Sequence, residues 1–131
     1  MQRYVLDASA ILALVKKEQG AEIVRQHIKG AIMSSVNYSE VISVLARKMP
    51  QELIITLLSN LIHEIVPFDE KQALEAGLLY SKTSKCGLSL GDRACIVLAT
   101  FRRLPILTAD SIWAKLELDI EIKNIRPSYF R

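Results

Sequence analysis

Cysteine, histidine and long apolar runs are all scarce in this chain of 131 residues, and each scarcity excludes something. The only cysteines, Cys86 and Cys95, form neither a CxxC pair nor a disulfide framework. The only histidines, His27 and His63, have no cysteine at zinc-ligand spacing and no obvious carboxylate neighbour. Structural zinc and Ser–His or Cys–His nucleophilic chemistry are therefore disfavoured. The longest apolar stretches, Ala8–Val15 and Leu53–Ile62, fall far short of the roughly 20 residues a membrane span needs. The opening Met-Gln-Arg-Tyr-Val-Leu-Asp carries neither a charge-free apolar run nor a small-residue cleavage site, so a cytoplasmic, membrane-free protein is expected. Repeats, low-complexity tracts and linkers are lacking too, which leaves a single domain over residues 1–131.

What is present is an aliphatic, mildly basic chain. Half the residues are hydrophobic and 24% are charged, enough apolar material for a core and too little charge for disorder. Lysine and arginine number 17 against 14 aspartates and glutamates, a formal charge of +3 spread over both halves, so neither end is a basic tail. A mean hydropathy of +0.23 is high for a short chain and fits either an aliphatic-rich core or apolar surface covered by another chain.

Short β-branched runs alternate with helical patterns. Strands are predicted at 3–6, 31–34, 64–66, 105–107 and 121–125. Between them the apolar spacing predicts helices at 10–17 (capped by Ser9), 21–28, from about 36 to 48, 51–61, 69 to about 83, 91–103 and 110–116. Asp69 followed by Gln72 makes a capping-box pattern. Alternation of this kind predicts an α/β fold: a mostly parallel sheet of four to five strands with helices on both faces. Open sheets of this type bind ligands at the carboxyl ends of their strands.

Four acids belong to that edge. Asp7 follows the run Val5-Leu6, and Asp110 follows Ile106-Leu107-Thr108. Glu40 falls in the opening turns of the helix after the second strand, and Asp92 in the first turn of the helix from Gly91. Each has a plain alternative: Asp110 and Asp92 as helix-terminal acids, Glu40 on a solvated face. Asp7 is the hardest to explain so, because a carboxylate beside an apolar strand needs its desolvation offset. Four gathered carboxylates cannot all stay ionised unless a cation sits among them. Oxygen ligands alone favour Mg²⁺ or Mn²⁺.

The segments that carry these acids resemble the PIN-domain ribonucleases, and within them the VapC toxins of toxin–antitoxin pairs. The matching pieces are Leu6-Asp7-Ala8-Ser9-Ala10, Val36-Asn37-Tyr38-Ser39-Glu40-Val41, Leu88-Ser89-Leu90-Gly91-Asp92-Arg93-Ala94 and Leu107-Thr108-Ala109-Asp110-Ser111-Ile112-Trp113. They are collinear and span nearly the whole chain. The resemblance implies a three-layer α/β/α sandwich and a Mg²⁺- or Mn²⁺-dependent endoribonuclease whose metal site is formed by Asp7, Glu40, Asp92 and Asp110. It implies a supporting role for the hydroxyls of Ser9 and Thr108, a cognate antitoxin that blocks the site, and a homodimer. Trp113 matches an aromatic of the closing motif that core packing explains equally well.

Phosphodiester hydrolysis on metals needs no histidine nucleophile, which suits a chain so poor in histidine. Lys82, Lys85, Arg93, Arg102 and Arg103 are candidates for tracking RNA phosphates by their nearness in sequence to Asp92. The amphipathic segments 10–17 and 51–61 are candidate walls of a groove for the antitoxin. The alternatives are an RNA-processing PIN nuclease without a toxin role, a non-catalytic nucleic-acid-binding module, and a receiver-like domain using Asp69, Thr108 and Lys123.

Overall fold

The computed structural model describes residues 2–126, the side chains at 114 and 115 excepted. In chain order it runs β1 (Val5–Leu6), α1 (Ala8–Val15), α2 (Ala21–His27), β2 (Ile32–Ser34), α3 (Ser35–Leu45), α4 (Gln51–Leu61) and β3 (Glu64–Val66). Then come α5 (Glu70–Thr83), a 3₁₀ turn at Ser84–Cys86, α6 (Leu90–Arg102), β4 (Ile106–Thr108), a 3₁₀ segment at Ser111–Lys115 and β5 (Ile122–Asn124). The five strands form one sheet in the order β3-β2-β1-β4-β5, every pairing parallel.

The two-residue period of a strand divides the core between the faces of this sheet. Leu6, Met33 and Leu107 join a cluster with Ile11 and Leu14 of α1, Val24 of α2, Val41 of α3 and Leu58 of α4. Val5, Ile32 and Ile106, aligned across β2, β1 and β4, join the opposite cluster with Cys95, Ile96 and Leu98 of α6. The central strands are covered on both faces, which is why they read as continuous apolar runs rather than alternating ones. The result is the expected three-layer sandwich, with α1–α4 on one side and α5–α6 on the other.

The first helix departs from expectation. It begins at Ala8, and its N-cap is Asp7, whose Oδ1 accepts the Ala10 amide at 2.9 Å. Ser9 instead donates its hydroxyl to that same oxygen at 2.7 Å, since a carboxylate is the stronger acceptor for both donors. Asp69 caps α5 as expected, accepting the Gln72 amide at 2.9 Å, but the Gln72 side chain turns to the Pro67 carbonyl instead of closing the box.

Topology then selects an edge. The chain winds outward from β1 through β2 to β3, and returns through α5 and α6 to place β4 on the other side of β1. The crevice at the carboxyl ends of β1 and β4 is therefore the topological switch point, where open α/β sheets leave room for a ligand. Helix α6 runs from that edge towards the opposite one, where Arg102 forms a two-pronged pair with Glu64, the first residue of β3.

Leu98 is 1% exposed and Leu74 is 60% exposed, so the same truncation should act very differently at the two positions. Leu98→Ala is expected to cost about 2–5 kcal/mol in urea unfolding and Leu74→Ala less than about 0.5 kcal/mol. Equal costs would contradict this layering.

Candidate active site

Asp7, Glu40, Asp92 and Asp110 line one cavity of about 220 Å³, together with Ser9, Asn37, Leu12 and Val44. Four segments far apart in sequence supply them: the turn after β1, the second turn of α3, the first turn of α6 and the turn after β4. Their fields overlap: burial first, and then the charges of Asp7, Asp92 and Glu40, push the Cys95 thiol beneath them well above its usual range.

Asp92, Asp110 and Glu40 are each held through one oxygen by local backbone or side-chain donors. Asp92 Oδ2 accepts the Ser89 amide at 3.0 Å while Ser89 caps the Asp92 amide in return, a closed capping box. Asp110 Oδ1 accepts the Ile112 amide at 3.0 Å and starts the 3₁₀ segment. Glu40 Oε1 accepts from the Asn37 amide group at 2.9 Å. Among the described residues, the second oxygen of each of these three acids accepts no hydrogen bond.

Asp7 is held more fully. Besides the Ala10 amide and the Ser9 hydroxyl on Oδ1, the Thr108 hydroxyl donates to Oδ2 at 2.5 Å. Ser9 in turn accepts the Ala109 amide at 2.9 Å, and Thr108 accepts the Asp110 amide at 3.0 Å. These two hydroxyls, singled out in the sequence, join β1 to the turn after β4. Asp7 is only 4% exposed, and burial lifts its pKa to about 6 against the pull of Thr108, Ser9 and the Ala10 amide, with the Asp92 charge adding to the rise.

Among the described residues, no three His, Cys, Asp or Glu side chains cluster tightly enough to hold an ion between them as they stand. The acids instead ring a space with room for an ion that keeps part of its water shell, the usual state of protein-bound Mg²⁺. Every ligand on offer is a hard oxygen, and the buried Asp7 carboxylate gains most from a nearby cation. The donor set fits a hard divalent ion.

The basic candidates are dispersed. The Arg93 guanidinium donates to the Ala76 carbonyl of α5 at 2.9 Å and lies 5.1 Å from the centre of the Tyr80 ring, tying α6 to α5. Arg102 is committed to Glu64, and both it and Arg103 stand one helix length, roughly 15 Å, from Asp92. Helix α6 points away from the acids, so nearness in sequence to Asp92 is not nearness in space for these two arginines. Lys82 and Lys85 are exposed near the end of α5 and the turn that follows. Trp113, 1% exposed, is a core residue, and Tyr38 packs on the α1–α4 core beside a groove. His27 stacks edge-on against Tyr4 and contacts the Ile23 carbonyl, away from the acids.

Asn37 belongs to the cavity although its chemistry was not foreseen from the sequence. The available signal was its position three residues before Glu40, which puts both on one helix face.

These features define a doubly wound α/β domain with an acidic cavity at its switch point. The chain belongs to the PIN domain family, whose description matches residues 4–118. None of the curated proteins compared with it matches by sequence. Among solved structures it resembles a toxin–antitoxin complex from Klebsiella pneumoniae, with a TM-score of 0.74 and 16% identity over 93% of this chain and 97% of that one. It also resembles a DNA-bound VapBC from Salmonella typhimurium, with a TM-score of 0.71 and 18% identity over 95% and 99% of the two chains. A third likeness is FitAcB from Neisseria gonorrhoeae, with a TM-score of 0.68 and 20% identity over 93% and 97%. At such identities the likeness is one of fold. The receiver-like alternative falls with the family assignment, and Asp69, its phosphoacceptor, is occupied as the cap of α5.

Burial of Asp7 makes stability depend on pH. With a folded pKa of about 6 against an ordinary 3.8, the folded chain binds the proton more tightly. Stability therefore falls as pH rises through that window, and the full penalty, on the order of 3 kcal/mol, stands above it. Asp7→Asn keeps an acceptor for the Ala10 amide and removes the charge. Without divalent ions it is expected to raise the Tm by several degrees at pH 7.5 and to leave it nearly unchanged near pH 4; an unchanged Tm at pH 7.5 would contradict the burial cost.

Proposed function

We propose that this chain is a divalent-metal-dependent endoribonuclease, the VapC-like toxin of a toxin–antitoxin pair, acting in the cytoplasm. The observation that carries this reading is the ring of four carboxylates at the switch point, three of them with one oxygen held and one free. Membership of the PIN family and the likeness to VapBC and other toxin–antitoxin complexes support it.

Asp7 and Asp92 would be the principal holders of Mg²⁺ or Mn²⁺, with Asp110 and, through a bound water, Glu40 completing the set. The bound ion would lower the pKa of a coordinated water and offset the charge that builds on the phosphate. Around it, the protein's own groups do the positioning. Ser9 and Thr108 fix the Asp7 carboxylate in one orientation, and the Ser89 and Ile112 amides do the same for Asp92 and Asp110. Glu40 offers Oε2 to the attacking water, orienting it and accepting its proton. RNA is the substrate by family resemblance.

An apolar groove supports the antitoxin reading. A groove of about 500 Å³ lies between α3 and α4, lined by Tyr38, Ile42, Ala46, Met49, Ile54 and Ile55. Helix α4 is one wall of this groove. Its other wall is α3, while the segment 10–17 turns Ala10, Ile11, Ala13 and Leu14 into the core and lines the acidic cavity with Leu12. Ile55 and the neighbouring Leu53 are about half exposed, as expected of a surface that an amphipathic partner segment covers. A homodimer would find exposed apolar surface on α5, where Leu74 and Leu78 stand exposed four residues apart.

Two experiments test these readings. Purified protein with Mn²⁺ should cleave RNA, with activity abolished by EDTA and reduced at least a hundredfold by Asp7→Asn or Asp92→Asn. Cleavage that persists in EDTA or in both variants would refute the mechanism. Ile55→Glu should release a co-expressed antitoxin in pull-down while leaving RNA cleavage intact, and undiminished capture would remove the groove from the interface.

A further inference from the structure

Glu40, like Asp110, is an exposed member of the acid ring, yet its carboxylate is not free to wander. Its Oε1 is held by Asn37, a residue only 1% exposed in the first turn of α3. The same Asn37 nitrogen donates to the Gly91 carbonyl at 3.0 Å, in the first turn of α6. Turning the amide over would set its oxygen against two acceptors, so the partners dictate its orientation. The cost is visible: Asn37 Oδ1 is buried and finds no hydrogen-bond partner among the described residues.

Gly91 supplies the other half. A Cβ built on it would lie 2.6 Å from the Glu40 carboxyl carbon, so the carboxylate rests against the bare Cα. Gly91 is not among the glycines with positive φ, and its backbone suits any residue. Space, not conformation, is what glycine provides here, at a position where alanine would favour the helix.

We propose that Asn37 and Gly91 are positioning residues of the nuclease site, a seat that holds the Glu40 carboxylate of α3 against the start of α6 beside Asp92. This rests on the nuclease reading above. A glutamate has three side-chain torsions, and without the seat nothing among the described residues keeps its carboxylate at the cavity. The unpaired Asn37 oxygen is accounted for as well, because the amide is oriented for Glu40 and Gly91 rather than for its own full satisfaction.

The test uses the full chain as Asn37→Ala, Asn37→Asp and Gly91→Ala, with three readouts: Tm in EDTA, calorimetric affinity for Mn²⁺ alone, and kcat and KM on RNA. Gly91→Ala is the discriminating variant, since its methyl displaces only a flexible carboxylate and removes no hydrogen-bond donor. It is expected to keep or raise the Tm in EDTA, to weaken Mn²⁺ binding about tenfold, and to lower kcat at least tenfold with KM within about threefold. Asn37→Ala and the isosteric Asn37→Asp should show the same losses in Mn²⁺ affinity and kcat. Wild-type Mn²⁺ affinity and kcat in Gly91→Ala, or in Asn37→Asp, would overturn the seat. So would an Asn37→Ala protein whose only change is a lower Tm, for that is a purely structural asparagine. A wild-type chain that neither binds Mn²⁺ nor cuts RNA is a different result, read without any variant, and it takes the nuclease reading down together with the seat.

Discussion

A carboxylate held out of water at the end of a central strand is the constraint around which this domain is arranged. Asp7 is almost fully buried, and its charged form is disfavoured by that burial and by the neighbouring charge of Asp92. Three donors from two separate parts of the chain compensate in part: the Ala10 amide, the Ser9 hydroxyl and the Thr108 hydroxyl. Those donors bring the turn after β4 against the turn after β1, and so the same bonds that make Asp7 tolerable also close the cavity. The uncompensated remainder is an affinity for positive charge stored in the fold.

The acids show that capping a helix and serving a site are not competing explanations. Asp7 and Asp110 are N-caps, and Asp92 is the acidic partner in the capping box of α6. In Asp92 and Asp110 the cap uses one carboxylate oxygen and the other is presented in a fixed direction, while Asp7 gives its second oxygen to the Thr108 hydroxyl. Building the site from cap residues therefore orders it with the backbone itself, which moves less than a long side chain does. Glu40 is the exception, being longer and on a helix face, and it is the one acid held by a buried side chain from another turn of its own helix.

The sheet separates the molecule's tasks by face as well as by edge. The side covered by α1–α4 bears the apolar groove between α3 and α4, while α3 also delivers Glu40 to the cavity. Anything seated in that groove touches the helix on which one acid depends. On the other side, α5 and α6 are fastened by the Arg93 contact with Ala76 and Tyr80 and by Lys71 over the Phe101 ring. Arg93 thus joins two helices, and Arg102 pairs with Glu64 at the far edge.

Much of this was legible in the amino-acid order because its signals are local. Apolar runs marked four strands and polar–apolar alternation the fifth, Asp69 and Gly91 marked helix starts within a residue, and strand–helix alternation indicated which ends of the strands share an edge. From that edge alone Asp7, Glu40, Asp92 and Asp110 followed as neighbours, and the structure brings all four to one cavity. What only tertiary structure decided depends on direction and contact between distant segments. The course of α6 carries Arg102 and Arg103 away from Asp92, the carboxylate of Asp7 outcompetes Ser9 for the first helix, and Asn37 meets Gly91 across 54 positions of sequence. Periodicity reports which face of an element is buried, but not what waits on the other side of the contact.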